Sequence, residues 1–205
     1  MVRIGLAVLG AVALFATGCG GGDERPARSD ATTARSSATR LGGASTGVTA
    51  DVPGGWRKVD PLTDASAVVR TSFGLTGENA DLVRQLMTVQ RGHGTVYALD
   101  GSVTGGMAPH LTMGCDSGGL TGASREQLER KQRALEPTSR ITETTVGGKP
   151  AFRASYSSTR QGVAVDGLMV RASVSDERFC FVEIEAAKGG LTAATDGIAA
   201  SFALA

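Results

Sequence analysis

The chain has 205 residues, of which 41% are hydrophobic and only 4% aromatic, and its 21 basic residues nearly balance its 20 acidic ones. This length suits one domain of ordinary size, and the hydrophobic content excludes a wholly disordered chain. A net charge of +1 provides no electrostatic footprint for nucleic acid and excludes a polybasic surface binder.

The first nineteen residues have the pattern of an export signal. A single basic residue, Arg3, precedes the apolar run 4–17. That run is short for a membrane span, which takes about 20 residues, but it suits a signal peptide. The closing sequence Ala16-Thr17-Gly18-Cys19 resembles the lipobox of bacterial lipoproteins. In such proteins the signal is cut directly before the Cys, whose thiol receives a diacylglyceryl group.

The resemblance implies that residues 1–18 are a lipoprotein signal peptide and that Cys19 carries lipid built on fatty acids such as palmitate. The mature chain would then be held on the outer side of the cell membrane, because several acyl chains anchor a protein firmly. Two alternatives remain open. The signal could be an ordinary one that is cleaved elsewhere, which would release a secreted protein without lipid, or it could stay as an uncleaved anchor.

Residues 19–47 are predicted to be the lipidated Cys followed by a disordered tether. Gly, Ser, Thr, Ala and Arg dominate this stretch, and Leu41 is its only large apolar residue. Such a segment buries too little apolar surface to offset the entropy lost on ordering. We therefore expect the folded domain to occupy residues 48–205.

Apolar periodicity predicts the elements of this domain. In chain order it indicates a strand over 67–73, a helix over 79–91, strands over 94–99 and 110–115, a helix over 124–135, strands over 139–146, 150–157, 162–174 and 178–186, and a helix over 191–202. Consecutive strands with scattered helices favour an α+β fold, with an antiparallel sheet of about six to seven strands flanked by helices.

The side chains expected to pack are visible in two of the helices. In the helix over 79–91, the residues Leu82, Leu86 and Val89 share one side, with Val83 and Met87 beside them. The last helix presents one stripe with spacings of three and four residues: Leu191, Ala194, Ile198 and Phe202.

Cys115 and Cys180 remain once Cys19 is assigned to lipid. Two cysteines in an exported chain favour one disulfide, and both lie in phase with the apolar side of their strands. The alternative is two buried free thiols that behave as small hydrophobic residues. Two cysteines and two distant histidines match no metal-ligand spacing, so neither a metal nor a cofactor is predicted.

Several short motifs resemble actinobacterial LpqN-type lipoproteins and the wider PsbP-like fold. They include Pro53-Gly54-Gly55-Trp56, Ala108-Pro109-His110-Leu111-Thr112-Met113, Val146-Gly147-Gly148-Lys149-Pro150-Ala151, Phe181-Val182-Glu183-Ile184 and Ile198-Ala199-Ala200-Ser201-Phe202. The resemblance implies an antiparallel sheet flanked by helices. It also implies accessory and binding roles rather than catalysis.

Cys115-Asp116-Ser117-Gly118-Gly119 resembles the sequence around the nucleophile of trypsin-like proteases. A triad would also need a His base and an Asp, in the order His93, Asp100, Ser117. Too few residues precede Ser117 for that protease barrel, so we interpret the motif as a glycine-rich loop after a strand.

Glu183 and Glu185 form a second pair with catalytic potential, because paired carboxylates serve as acid and base in many hydrolases. They alternate with the buried side of their strand, next to Phe179 and Phe181. We therefore expect a solvated or helix-covered outer face.

These observations predict a non-catalytic binding or accessory module of the cell envelope. Its partners would be the membrane, through lipid on Cys19, and an envelope protein, a lipid or a glycan, with no nucleic acid. A purely structural envelope protein is one alternative. An envelope hydrolase is another, and it would bring His93 or His110 within about 3 Å of a nucleophile or carboxylate.

Overall fold

A computed structural model describes residues 37–205, so the predicted signal peptide and Cys19 lie outside the described residues. The strands are β1 (Thr39–Gly43), β2 (Val48–Val52), β3 (Trp56–Val59), β4 (Val96–Asp100), β5 (His110–Ser117), β6 (Arg140–Val146), β7 (Lys149–Arg160), β8 (Val163–Ser173), β9 (Arg178–Ala187) and β10 (Ala203–Leu204). The helices are α1 (Ala67–Ser72), α2 (Ala80–Gly92), α3 (Arg125–Leu135) and α4 (Ala193–Ser201).

Seven strands form one sheet in the order β3-β4-β5-β9-β8-β7-β6, and every neighbouring pair is antiparallel. The predicted α+β class and strand number are therefore confirmed. The hairpin between β6 and β7 turns at Gly147 and Gly148, with φ values of 56° and 74°. Two consecutive residues in this left-handed region are what a tight hairpin turn requires.

A second sheet, in the order β1-β2-β10, corrects the predicted extent of the tether. Residues 39–43 pair with β2, and Leu41 is buried in the domain core. The glycines reflect close approach rather than disorder, because a Cβ on Gly42 would lie 2.1 Å from the carbonyl oxygen of Val48. Composition concealed this strand, since its only large apolar side chain is Leu41.

The segment predicted as a strand over 67–73 is instead helix α1 followed by Phe73. Val68, Val69 and Ser72 are its buried residues, and their spacing of one and three positions suits a helix. A run of β-branched residues favours a strand locally, and tertiary packing overrides that weak preference here.

The seven-stranded sheet has two faces that we name by what covers them. The inner face packs against the small sheet and α4, and the disulfide between Cys115 and Cys180 lies in this cluster. The two cysteines are directly paired across β5 and β9, with Cα atoms 3.9 Å apart. In α4 the buried residues are Thr195, Ile198 and Ala199, whereas the predicted Ala194 is exposed.

The outer face is covered at both ends by helices. Helices α1 and α2 pack over β4, where Phe73 and Met87 contact the cluster around Tyr97 and Leu99. Helix α3 packs Leu128 over the phenylalanines of β7 and β9. A capping box starts this helix, with Ser124 and Gln127 bonded reciprocally.

Helix α2 turns a different side to the sheet than its apolar stripe suggested. Met87 is buried and Val83 partly so. Leu82, Leu86 and Val89 are exposed at 56%, 56% and 58%. The side of this helix with three large apolar residues therefore faces away from the domain.

Candidate functional site

Ionisable side chains meet in the middle of the outer face, between α1–α2 and α3. Strand register places His110 of β5 opposite Glu185 of β9, which lies opposite Gly167 of β8, which lies opposite Tyr156 of β7. Glu183 stands in the next row, opposite Thr112. Side chains two residues apart share a face, so the four strands supply one continuous polar floor.

Gly167 allows Tyr156 to reach this floor. A Cβ at position 167 would lie 2.1 Å from the Tyr156 ring. The ring therefore lies across β8, and its hydroxyl comes within 2.5 Å of Glu183 Oε1 and 3.1 Å of Glu185 Oε1. A glycine inside a strand often marks such a close approach, so Gly167 is the signal in the sequence that could have pointed to Tyr156.

One hydroxyl proton cannot satisfy two carboxylates. Removal from water raises the pKa of Glu183, and the neighbouring charge of Glu185 adds to the shift. The Tyr156 hydroxyl donates to Glu183 Oε1 at 2.5 Å, and Glu185 Oε1 at 3.1 Å is its alternative acceptor. Burial also raises the pKa of Tyr156, so its hydroxyl stays protonated.

Arg160 connects this floor to α3. Its Nη2 atom donates to Glu136 Oε1 at 2.5 Å and lies 3.1 Å from Glu185 Oε1. Its Nε atom donates to the same Glu185 oxygen at 3.3 Å. Glu136 is buried directly after α3, so the guanidinium holds the helix end and the sheet together. A second cation of this face, Arg171, lies beyond Glu183 over the Phe179 ring.

A cleft of about 460 Å³ opens beside this floor. One wall is formed by the end of α1 and by α2, and the other by the tip of the β7–β8 hairpin. Gln161 at that tip joins the walls, because its Nε2 donates to the Gly74 carbonyl at 2.7 Å and its Oε1 accepts from Thr76 at 2.9 Å. The residues facing the cleft are Thr71, Ser72, Phe73, Gly74, Thr76, Asn79, Val83, Met87, Met107, His110, Thr112, Thr159, Arg160, Gln161, Val163 and Glu185.

His110 is buried at the edge of this cleft, only 4% exposed. Its Nδ1 lies 3.0 Å from the Ala108 carbonyl, which can only accept, so Nδ1 carries the proton and donates. Burial lowers the pKa of His110 to about 4, which leaves Nε2 as an unprotonated acceptor near neutral pH. That Nε2 atom is 3.7 Å from Glu185 Oε2.

The protease-like motif is found elsewhere, at the far end of β5. His93 Nδ1 lies 3.2 Å from Asp116 Oδ1, and both side chains are partly exposed. The Ser117 backbone donates to the same oxygen at 2.7 Å. Asp100 bonds Ser102 instead, so the order His93, Asp100, Ser117 does not form a triad.

The paired acids of β9 are not a solvated surface, which corrects one of the two predicted settings. Glu185 has 15% of its side chain exposed, and Glu183 is partly buried beside it. The sequence singled out both acids and His110. It did not reveal Glu136, Arg160 or the role of Tyr156, because their approach depends on which strands become neighbours.

Two properties of the described residues 37–205 concern membranes and metal ions. None of its helices has the length and hydropathy needed to cross a membrane. Within the same range, no three His, Cys, Asp or Glu side chains converge as a metal ion would require.

No family model matches the sequence, and no curated protein matches it either. Three solved structures have a backbone path similar to that of this chain. Cyanobacterial PsbP (CyanoP) from Synechocystis sp. PCC 6803 is 13% identical with a TM-score of 0.49, and the match covers 88% of this chain and 100% of that one. LpqN of Mycobacterium tuberculosis, described as involved in cell envelope biogenesis, is 11% identical with a TM-score of 0.48, covering 82% and 90%.

The third structure is a protein of Bacteroides thetaiotaomicron VPI-5482, 8% identical with a TM-score of 0.46. The match covers 81% of this chain and 48% of that protein, so this chain spans about half its length. LpqN and PsbP, whose families the sequence motifs resemble, are thus both among the structures similar to it.

Proposed function

We propose that this chain is an exported LpqN-type lipoprotein, anchored to the cell membrane by lipid on Cys19, that serves the envelope as a non-catalytic binding module. The lipobox-like sequence before Cys19 supports the anchor. The disulfide between Cys115 and Cys180 supports export, since such bonds persist in oxidising compartments. The partner is an envelope protein, a lipid or a glycan that enters the outer-face cleft.

The cleft is the observation that carries the binding role. It has the size of a small-molecule site and joins an apolar wall to a few convergent polar groups, which is the usual composition of such sites. The acids of the polar floor beside it are held by structural contacts: Glu183 by Tyr156, and Glu185 by Tyr156 and Arg160. Carboxylates engaged in this way fix the shape of a site rather than attack a substrate.

Mass measurement and fractionation in a bacterial host with lipoprotein export test the anchor. Wild type is expected in the membrane fraction, lighter by residues 1–18 and heavier by lipid. Cys19→Ala is expected to lose the lipid mass and membrane retention. A wild-type protein that is released without lipid would contradict the anchor and leave a secreted binding protein.

A hydrolase is the second candidate, favoured by one observation. His93 and Asp116 lie 3.2 Å apart next to Ser117, which is the base-and-orienter half of a triad. An active serine would react with a fluorophosphonate probe, and Ser117→Ala would abolish the labelling. The binding role predicts equal, negligible labelling of wild type and Ser117→Ala.

A further inference from the structure

We propose that the outer-face cleft selects ligands bearing a primary ammonium group, which is held between His110 Nε2 and Glu185 Oε2. This inference rests on the proposed function, because it takes the cleft to be the binding site. It adds the chemical class of the ligand, which neither the sequence motifs nor the similar structures indicate.

Neither His110 Nε2 nor Glu185 Oε2 receives a hydrogen bond from residues 37–205. His110 Nε2 has a free lone pair, because Nδ1 holds the ring proton against the Ala108 carbonyl. Glu185 Oε1 accepts from Tyr156 and Arg160, whereas no hydrogen bond to Oε2 is found in residues 37–205. Two acceptors therefore stand 3.7 Å apart at the cleft, with no protein donor between them.

A ligand group with more than one N–H donor can satisfy both acceptor atoms. Adjacent lone pairs repel, so a ligand that donates to both is favoured. An ammonium group has three N–H donors and can serve both atoms, whereas a hydroxyl has one. Zinc in proteins usually takes three or four protein ligands, and the described residues bring no third metal-binding side chain to this pair.

The net charge of the ionisable groups at the cleft also favours a cationic ligand. The ionisable residues that line the cleft are His110, Arg160 and Glu185. Arg160 is shared between Glu185 and the buried Glu136, so one cation faces two carboxylates and a single negative charge remains. That remainder complements one ammonium group and disfavours a carboxylate or phosphate at the same place.

The apolar wall of the cleft suits the remaining part of the ligand. The wall opposite the floor includes Phe73, Val83 and Met87, which give an alkyl chain an apolar surface to cover. The site therefore suits an amine with an apolar body. A small alkylamine reproduces both features and can serve as a probe.

Calorimetric titration of the mature chain with hexylammonium, hexanol and hexanoate tests this inference. The three probes share a tail and differ in the polar head. We expect hexylammonium to bind at least about tenfold more tightly than hexanol, because its bonds are charge-assisted, and hexanoate to show no binding. Glu185→Gln should weaken hexylammonium about tenfold and leave hexanol unchanged, whereas the exposed Glu177→Gln should change neither.

A second measurement guards against misfolding of Glu185→Gln, which also loses a contact with Arg160. In wild type, the ¹⁵N resonance of His110 Nε2 is expected at the position of an unprotonated nitrogen. It should shift on adding hexylammonium and stay in place on adding hexanoate.

Four results would overturn the inference: equal binding of hexanol and hexylammonium, hexylammonium binding that Glu185→Gln leaves intact, a His110 signal that hexylammonium does not move, or no binding at millimolar probe. None of them bears on Cys19, so the anchor in the proposed function can stand while the ligand class fails. Loss of the anchor would likewise leave these titrations unaffected.

Discussion

The two faces of the seven-stranded sheet solve different problems with the same strands. On β9, Cys180, Val182 and Ile184 point to the inner face and join one apolar cluster. Between them, Glu183 and Glu185 point to the outer face and join a network of hydrogen bonds. Side-chain alternation with period two makes this division possible within ten residues.

The difference shows where the fold accepts an energetic cost. The inner face gains stability from apolar burial and a covalent cross-link. The outer face keeps ionisable groups away from water, which costs free energy even when they are paired. That cost is located beside the cleft, which is where we propose that a ligand binds.

The largest expected effect is on the inner face. Replacing both cysteines, Cys115→Ala with Cys180→Ala, should lower the free energy of unfolding by roughly 4 kcal/mol, because the bond closes a long loop in the unfolded chain. The two residues are 65 apart in sequence. Urea unfolding with and without reductant measures the loss. A change below about 1 kcal/mol would mean that the inner face does not depend on its cross-link.

The buried ionisable groups of the outer face should make the free energy of unfolding depend on pH. The pKa of His110 is lowered to about 4, so the unfolded chain binds a proton there that the folded chain excludes. His110 therefore makes stability fall as pH drops from about 6.5 to 4, by on the order of 3 kcal/mol. Glu183 acts in the opposite direction: its raised pKa makes stability fall as pH rises above the usual glutamate value.

Two variants separate the opposite contributions of His110 and Glu183 to the pH dependence of stability. Relative to wild type, His110→Gln should gain stability as pH falls through that window, and Glu183→Gln should gain stability as pH rises. Urea unfolding between pH 4 and 7 measures both, and the exposed carboxylates common to all variants cancel in the differences. His93→Gln, at the other histidine, is the control that leaves both terms in place. Parallel profiles for the two variants would contradict a buried ionisable outer face.

A smaller effect is expected at the edge of the inner face, where β1 covers the sheet. Leu41→Ala should cost about 2–3 kcal/mol of unfolding free energy, because its side chain is buried in the core. Arg40→Ala is the matched control next to it and should cost far less, since its ion pair with Asp51 is exposed and screened by solvent. Equal, small losses of unfolding free energy for the two variants would mean that residues 39–43 belong to the tether and not to the folded domain.

The smallest effect separates the two sides of α2 on the outer face. Leu86→Ala should change the free energy of unfolding by less than about 0.5 kcal/mol, because its side chain is 56% exposed. Met87→Ala, one position along, should cost about 2 kcal/mol because Met87 is buried over the sheet. Thermal or urea unfolding compares the pair. A larger loss for Leu86→Ala would mean that this stripe is covered.

Much of the fold could be predicted because its signals are local. Alternation along β9 separated Cys180 and Ile184 from Glu183 and Glu185. The spacing of Ser124 and Gln127 is typical of a capping box, and the structure forms it. The weaker local signals misled: the valines of α1 suggested a strand, and the glycines near Leu41 suggested disorder.

The candidate site was only half visible in the sequence. Glu183, Glu185 and His110 could be singled out as residue types, but nothing local joins residue 110 to residue 185. Their meeting depends on β5 and β9 being neighbours in the sheet. Arg160 and Glu136 join them from a hairpin tip and a helix end.

By itself the sequence determined features that depend on a few neighbouring residues, such as the alternation of inner-face and outer-face side chains along β9. Only the tertiary structure decided the strand order, the buried side of α2 and the cleft at His110 and Glu185. The physical reason is range. Backbone preference and side-chain alternation act over a few residues, whereas strand pairing and burial depend on contacts between segments far apart in the chain.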